Sequence, residues 1–371
     1  MPSRPYVLLS CATSADGYLD DASPRRLILS GPADLDRVDE LRAGCDAIAV
    51  GAQTIRTDDP RLAIRDPRRR ARRAAHGLPE HPARVALTAS GNLDPHARFF
   101  APGAVRLVYC ATRAAALARA RLGDAAVVID AGDPLSLGFV LIDLAERSMV
   151  RVLVEGGARV LGEFLAQDLA DEFQLAVAPF FVAQPGAPRL TVPAGVASDP
   201  AHPMTLAETR PVGEMVLLRY LLGPGGPEHR FLRWAVELSR QCPPSDSAFS
   251  VGAVIVGEDG EVLATGFSRE QEDHDHAEEV ALRKLGPDLR LRHATLYSSL
   301  VPCGARASRP ATCVQHIVAA GIPKVVFAWR EPPVFTGGEG ADQLRAAGVT
   351  VTEVPELAAR AQSVNAHLAA R

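Results

Sequence analysis

The stretch Asp275-His276-Ala277-Glu278-Glu279-Val280-Ala281-Leu282 places acidic residues ahead of an apolar run, and reads as the opening of a helix. Leu296-Tyr297-Ser298-Ser299-Leu300 reads as a strand running out at Pro302-Cys303, and Cys313-Val314-Gln315-His316-Ile317-Val318 as the start of a second helix. His276, Cys303 and Cys313 therefore fall at element ends. One His and two Cys supply three zinc ligands and leave a fourth position for water, whose pKa zinc lowers toward neutrality. Glu278 follows the His by two residues.

A lone His-Ala-Glu is an ordinary helix start, and two intracellular cysteines are commonly buried thiols. Residue types and placement together point instead to a zinc deaminase centre, with His276, Cys303 and Cys313 as ligands. Glu278 is then expected not to bind the metal but to carry protons from water to the departing amine.

The chain has 371 residues, enough for two or three domains, and its 47% hydrophobic content with few aromatics suits an α/β protein with a sizeable core. A net charge of -4 argues against general nucleic-acid affinity. The six cysteines are too scattered for a disulfide framework. Cys11, Cys45, Cys110 and Cys242 are expected as buried thiols, and a zinc thiolate site suits a reducing compartment. Met1 to Leu9 holds only a short apolar run, soon followed by Asp16, Asp20 and Asp21, which is neither a signal peptide nor a membrane span. The expectation is a cytoplasmic protein.

Gly223-Pro224-Gly225-Gly226-Pro227 is the clearest break, between an apolar strand (Met215 to Leu222) and an amphipathic helix (Phe231 to Arg240). The expected domains are 1–222 and 229–371, with 223–228 as linker. In the first, strands are expected at Tyr6 to Ala12, Ala47 to Gly51, Arg84 to Leu87, Val105 to Cys110, Val127 to Ile129 and Val150 to Glu155. Helical patterns lie between them, among them Asp34 to Arg42, which predicts a mostly parallel, helix-covered sheet. In the second, helices alternate with strands at Val251 to Val256, Glu261 to Phe267, Ala294 to Leu300, Lys324 to Ala328 and Val349 to Val354. That pattern predicts a three-layer α/β/α sandwich.

Gly156-Gly157 follows a buried strand and opens a helix, where backbone amides can hold a phosphate. It is not a GxGxxG, so it carries no Rossmann signature. Thr54 and Asp58 lie just past another strand end, the place where open α/β sheets gather ligands. From these residues alone, the first domain is expected to bind a phosphorylated ligand. The basic run Arg65 to Arg73 is read as a mobile surface loop, ahead of phosphate contact and of nucleic-acid binding.

The first domain resembles the riboflavin-pathway pyrimidine reductases, which have a dihydrofolate-reductase-like fold. Carrying the resemblance are Ser14-Ala15-Asp16-Gly17, Leu29-Ser30-Gly31, Arg37 to Arg42, Asp46-Ala47-Ile48, Val50-Gly51, Thr54, Asp58-Asp59-Pro60, Leu62, Val154 to Gly157, Leu169, Asp171-Glu172 and Ala178-Pro179. The resemblance implies NADPH as hydride donor and a ribosylamino-pyrimidine 5′-phosphate as substrate. By position it assigns Thr54, Asp58, Gly156, Gly157, Ala158, Arg159, Val160 and Leu161 to NADPH, and Arg42, Leu62, Arg65 and Glu155 to the substrate. It also implies a homodimer.

The second domain resembles the cytidine-deaminase-like half of the bifunctional riboflavin deaminase/reductase family, through Val251 to Val256, the His276-Ala277-Glu278 motif, Pro302-Cys303, Cys313, Ala320-Gly321-Ile322 and Val325-Val326. The domain order is the reverse of that family's usual one. The chain departs from the family where Ser247-Ala248-Phe249-Ser250 replaces Pro-Asn-Pro, at Val301, and in Gly304 to Thr312 between the cysteines. No expected ligand is lost, but the loops that would read substrate differ. Arg306 and Arg309 are candidates to supply phosphate contacts there, or to serve a different pyrimidine. The leading expectation is a bifunctional riboflavin-synthesis enzyme. The alternative is a reductase whose deaminase-like domain is non-catalytic or altered in specificity, in a specialised pathway from a pyrimidine.

Overall fold

Apolar runs such as Ala47-Ile48-Ala49-Val50-Gly51, buried at every position, form strands covered on both faces. The computed structural model describes residues 4–23, 27–190, 198–200, 203–223, 226–306, 308–330 and 339–369. Met1 to Ser3, Pro224-Gly225 of the expected linker and Ala307 between the cysteines lie outside them. The chain forms two compact units, one of residues 1–204 and 208–223, the other of 205–207 and 224–371.

In the first unit, the strands are β1 (Tyr6–Ser14), β2 (Ala47–Gly51), β3 (Ala83–Thr88), β4 (Arg106–Cys110), β5 (Val127–Asp130), β6 (Arg151–Val154), β7 (Glu172–Ala178), β8 (Thr205–Val212) and β9 (Met215–Leu221). They form one sheet in the order β5-β4-β3-β2-β6-β1-β7-β9-β8. Every pairing from β5 to β7 is parallel, and β9 joins β7 antiparallel. The helices are α1 (Pro32–Ala43), α2 (Ala52–Asp58), α3 (Pro67–Ala75), α4 (Thr112–Leu122), α5 (Leu137–Glu146) and α6 (Ala158–Ala166). From β2 the chain winds outward to β5, then returns to insert β6 between β2 and β1. That reversal puts a topological switch between β2 and β6, and the carboxyl ends of strands at such a switch are the usual ligand position.

The basic run is not a loop. Residues Pro67–Ala75 form α3, capped by the Asp66 side chain, which accepts from the Arg68 amide. Arg69 bridges Asp36, Asp39 and Glu40 of α1. The guanidinium of buried Arg73 donates to the carbonyls of Ala43 and Cys45, satisfying groups left over at the end of α1. The arginines therefore fasten one helix to another, which a count of charges in sequence could not distinguish from a solvated loop.

The second unit has α7 (Gly226–Ser239), which starts within the stretch expected as linker. It continues with β10 (Gly252–Val256), β11 (Val262–Phe267), α8 (Ala277–Leu285), β12 (Thr295–Leu300), α9 (Cys313–Ala320), β13 (Lys324–Trp329), α10 (Gly340–Ala346), β14 (Thr350–Glu353) and α11 (Ala358–Val364). The sheet order is β11-β10-β12-β13-β14. β12, β13 and β14 run parallel, while β10 is antiparallel to both β11 and β12. Helices α7 and α11 pack together on one side, and α8, α9 and α10 form the other layer. Gly266 is required where α8 meets β11: a Cβ there would fall 2.3 Å from the Ala277 carbonyl oxygen. No helix among the described residues is long and apolar enough to cross a membrane.

Candidate functional site

In the second unit, β12 ends at Leu300 and delivers Cys303 toward the first turns of α8 and α9. His276 is the extended residue that precedes α8. Cys313 is the first residue of α9, whose start is fixed by a capping box between Thr312 and Gln315. The positive ends of both helices thus border the thiols, which favours thiolate.

The Sγ atoms of Cys303 and Cys313 lie 3.4 and 3.3 Å from Nδ1 of His276. A tetrahedral zinc with bonds of about 2.3 Å to sulfur and about 2.0 Å to nitrogen spaces such atoms roughly 3.5 Å apart. The three side chains fit that ion, and they form the candidate metal-binding group found among the described residues. The hydrogen bond with Cys313, together with His276, holds the Cys303 thiol well below its ordinary range.

Glu278 sits inside this cluster. One carboxylate oxygen accepts from Ser298 Oγ at 2.8 Å, and the other lies 3.3 Å from Cys313 Sγ. Burial pushes its carboxyl above the ordinary range. Ser298, fully buried on β12, was not singled out from the sequence. The available signal was a pair of serines, Ser298-Ser299, within a strand otherwise read as apolar.

Two further side chains brace the loop before β10. Arg269 donates to the carbonyls of Pro243 and Phe249, and Asn365 holds both the amide and the carbonyl of Ser250. Phe249 stacks edge-on against Trp329 at 5.5 Å. Arg306 and Arg309 point inward, where their guanidinium groups meet Glu279, Glu272 and Asp275. Both are therefore engaged by carboxylates of their own unit.

In the first unit, several of the residues assigned by resemblance lie near the carboxyl ends of β2 and β6. Helix α2 starts directly after Gly51 and α6 directly after Gly157. A Cβ on Gly51 would lie 2.8 Å from Val160, and one on Gly157 would lie 3.7 Å from Thr54 Oγ1, so the two helix starts stand side by side. First-turn amides, including those of Ala158 and Arg159, point out of the end of α6. The amides of Val160 and Leu161 bond back to the Gly157 carbonyl, and the Leu161 side chain is buried in the core.

Arg42 and Glu155 form a two-bond ion pair at 2.7 and 2.6 Å. Leu62 takes a left-handed backbone, φ 47°, with its side chain in the core. Strain of that kind in a non-glycine residue concentrates at ligand sites. Asp58 closes α2. Arg65 is half-exposed, anchored by its own amide to Asp39 and by its guanidinium to the Leu35 carbonyl.

Residues 5–218 match the model of the RibD C-terminal domain. The chain belongs to the RibD C-terminal domain family. Residues 227–329 match the zinc-binding region of cytidine and deoxycytidylate deaminases. The reductase-type domain of this RibD-family chain thus precedes its deaminase-type domain, the reverse of the usual order.

Among relatives, a 2,5-diamino-6-ribosylamino-4(3H)-pyrimidinone 5′-phosphate reductase of Archaeoglobus fulgidus is 33% identical over 181 residues, 48% of this chain and 82% of that protein. A diaminohydroxyphosphoribosylamino-pyrimidine deaminase of Schizosaccharomyces pombe is 39% identical over 137 residues, 36% of this chain and 33% of that protein. The chain therefore spans only a third of that relative's length. A pyrimidine reductase-like protein of Corynebacterium diphtheriae shares the fold, with TM-score 0.51 and 19% identity over 60% of this chain and 93% of that one.

Proposed function

We propose that this chain is a bifunctional enzyme of riboflavin synthesis, with reduction assigned to residues 1–222, deamination to 229–371 and 223–228 as the link. The observation that carries this reading is a complete ligand set, His276, Cys303 and Cys313 around Glu278, in the same chain as a RibD-type domain. The substrate would be 2,5-diamino-6-ribosylamino-4(3H)-pyrimidinone 5′-phosphate.

In the deaminase site, zinc when bound supplies the Lewis acidity that makes water nucleophilic at neutral pH. Glu278 accepts the water proton and passes it to the amine nitrogen. The bond from the ring carbon to its exocyclic amine breaks, a carbonyl replaces it, and ammonia leaves with one water consumed. Ser298 holds the Glu278 carboxylate in one orientation, and burial keeps bulk water from competing for that proton.

In the reductase site, NADPH when bound would supply a hydride to C1 of the ring-opened ribose, whose C1=N bond would become a single bond as the nitrogen takes up a proton, leaving a ribityl chain and the oxidised cofactor. Thr54, Asp58 and the turn from Gly156 through Leu161 would hold NADPH, the turn chiefly through its backbone. Arg42, Leu62, Arg65 and Glu155 would hold the substrate. Six free cysteines accord with a reducing, cytoplasmic setting. The partner chemistry is a small phosphorylated pyrimidine, not nucleic acid or membrane, and the enzyme would work as a homodimer.

One observation favours a second reading, an altered-specificity deaminase domain. Arg306 and Arg309, the candidates for phosphate contact or for a different pyrimidine, are bonded to carboxylates of their own unit. A product-mass assay on zinc-loaded protein, with and without NADPH, separates the two. Loss of the amine without NADPH and a deaminated ribityl product with it support the bifunctional enzyme. Reduction without deamination supports the second reading, and neither reaction would sink both.

A further inference from the structure

The three candidate metal-ligating side chains come from two separate segments: His276 from the stretch before α8, and the cysteines from the stretch that runs from the end of β12 to the first residue of α9. Five charged side chains join those stretches beside the cluster. Arg306 Nη1 donates to Glu279 at 3.1 Å and its Nη2 donates to the His274 carbonyl at 2.8 Å. Arg309 Nη1 donates to the other Glu279 oxygen at 2.7 Å, and its Nη2 reaches Glu272 at 2.5 Å and Asp275 at 3.2 Å. Asp275 in turn accepts from the amides of Gln271 and Glu272 and from Arg283. Most of these side chains are sheltered, Arg306 being 3% exposed, Glu279 10%, Asp275 0% and Arg309 25%, while Glu272 lies at the surface.

We propose that Glu279 and Asp275, through Arg306 and Arg309, act as positioning residues that clamp the cysteine-bearing segment onto the His276 segment and so preorganise the metal centre. The idea rests on the zinc reading given above. Both arginines lie in the stretch between the cysteines, and Glu279 directly follows Glu278. Each arginine makes charge-assisted bonds to the same carboxylate, so Glu279 ties down residues on either side of position 307 at once. Helix α8 carries Glu279 one turn into the element that His276 precedes, so a shift of either arginine transmits directly to the ligand spacing. Because the clamp uses only protein groups, it holds the three ligand atoms together before any ion arrives. It therefore acts mainly on how long a bound ion stays.

The test uses the full-length zinc-loaded protein and its Glu279→Gln, Arg306→Lys and Arg309→Lys variants. Zinc release into a chromophoric chelator is timed, and the thiolate-to-metal bands are recorded after cobalt substitution. Loss of groups that support metal ligands usually weakens binding on the order of 10- to 100-fold. Glu279→Gln is expected to release zinc at least about 10-fold faster and to shift the cobalt bands. A Glu279→Gln/Arg306→Lys double variant should be little worse than the stronger single, because both remove one linked unit. The lysine variants keep the charge and lose only the forked geometry, so they read the clamp even if Glu279→Gln unfolds. Release rates and cobalt bands unchanged in the folded variants would overturn the clamp. If the parent protein itself binds no zinc, the zinc reading fails, which is a separate result from a parent that binds zinc and variants that hold it equally well.

Discussion

Ser298 Oγ donates a 2.8 Å hydrogen bond to Oε1 of Glu278, both side chains being buried beside His276 and Cys313. The bond runs from the middle of a strand to the first turn of a helix and fixes the direction in which the carboxylate points.

Removing the shuttle or its support should therefore have separable effects. Glu278→Gln should keep zinc and lose turnover by roughly 100-fold or more, the usual scale of general acid–base catalysis. Ser298→Ala should cost less and move the pH profile. The Ser298 bond stabilises the ionised carboxylate, opposing the burial that raises its pKa. Loss of the bond must then raise the pKa further, and the acidic limb of the deamination rate should shift to higher pH than in the parent. A limb that stays in place, measured by initial rates across pH, would remove Ser298 from this role.

His276→Ala removes one of the three ligand atoms of the metal centre. Metal content by elemental analysis should drop toward zero and deamination should vanish, while NADPH-dependent reduction stays within about 2-fold of the parent, since domains fold and act as separate units. Normal zinc content in the variant would show the ligand assignment to be wrong.

Arg42 and Glu155 hold one another by two bonds in the first unit. Arg42→Met should raise KM for the pyrimidine phosphate by on the order of 10-fold, because it removes a forked phosphate- and carboxylate-binding group and leaves Glu155 unbalanced. KM for NADPH should change little. Steady-state kinetics with each substrate varied in turn decide this, and an unchanged pyrimidine KM would count against substrate contact.

Gly266→Ala would bring a Cβ to 2.3 Å from the Ala277 carbonyl oxygen and 2.7 Å from the Ala281 amide nitrogen. Helix α8 must shift, at a cost of about 1–3 kcal/mol. Thermal unfolding of the zinc-loaded protein should report a lowered midpoint for the second unit.

Glu172, wholly buried with Arg219 against it, is lowered to about 2 despite the opposing effect of burial. A carboxyl lowered in the folded state adds stability that is fully present above its unfolded pKa of about 4.3. That stability is lost as pH falls through about 2. Acid unfolding of the Glu172→Gln variant should accordingly be shallower than that of the parent between those two values. Equal slopes in denaturant titrations at several pH values would contradict this.

Much of the architecture was legible along the chain. Ala47 to Gly51, with no polar residue, had to be covered on both faces, and it is β2 at those same bounds. The convergence of His276, Cys303 and Cys313 was legible as well, because the chemistry of zinc demands particular residue types, and the three side chains do come together. Arg68 to Arg73 was not legible: five arginines in six positions carry the same sequence signal whether solvated or paired, and only the nearness of α1 made them a fastened helix. Strand β7, with Glu172 and Gln174 inside it, was hidden by polar residues that the fold buries and pairs.

The sequence by itself determined the two kinds of unit and the candidate metal group with Glu278 beside it, since these depend on residue chemistry and local period. Tertiary structure alone decided what faces what. It set Ser298 against Glu278, placed the start of α2 beside that of α6, and turned Arg306 and Arg309 onto Glu279. Those outcomes depend on distances between segments far apart in the chain, which pattern and propensity do not encode.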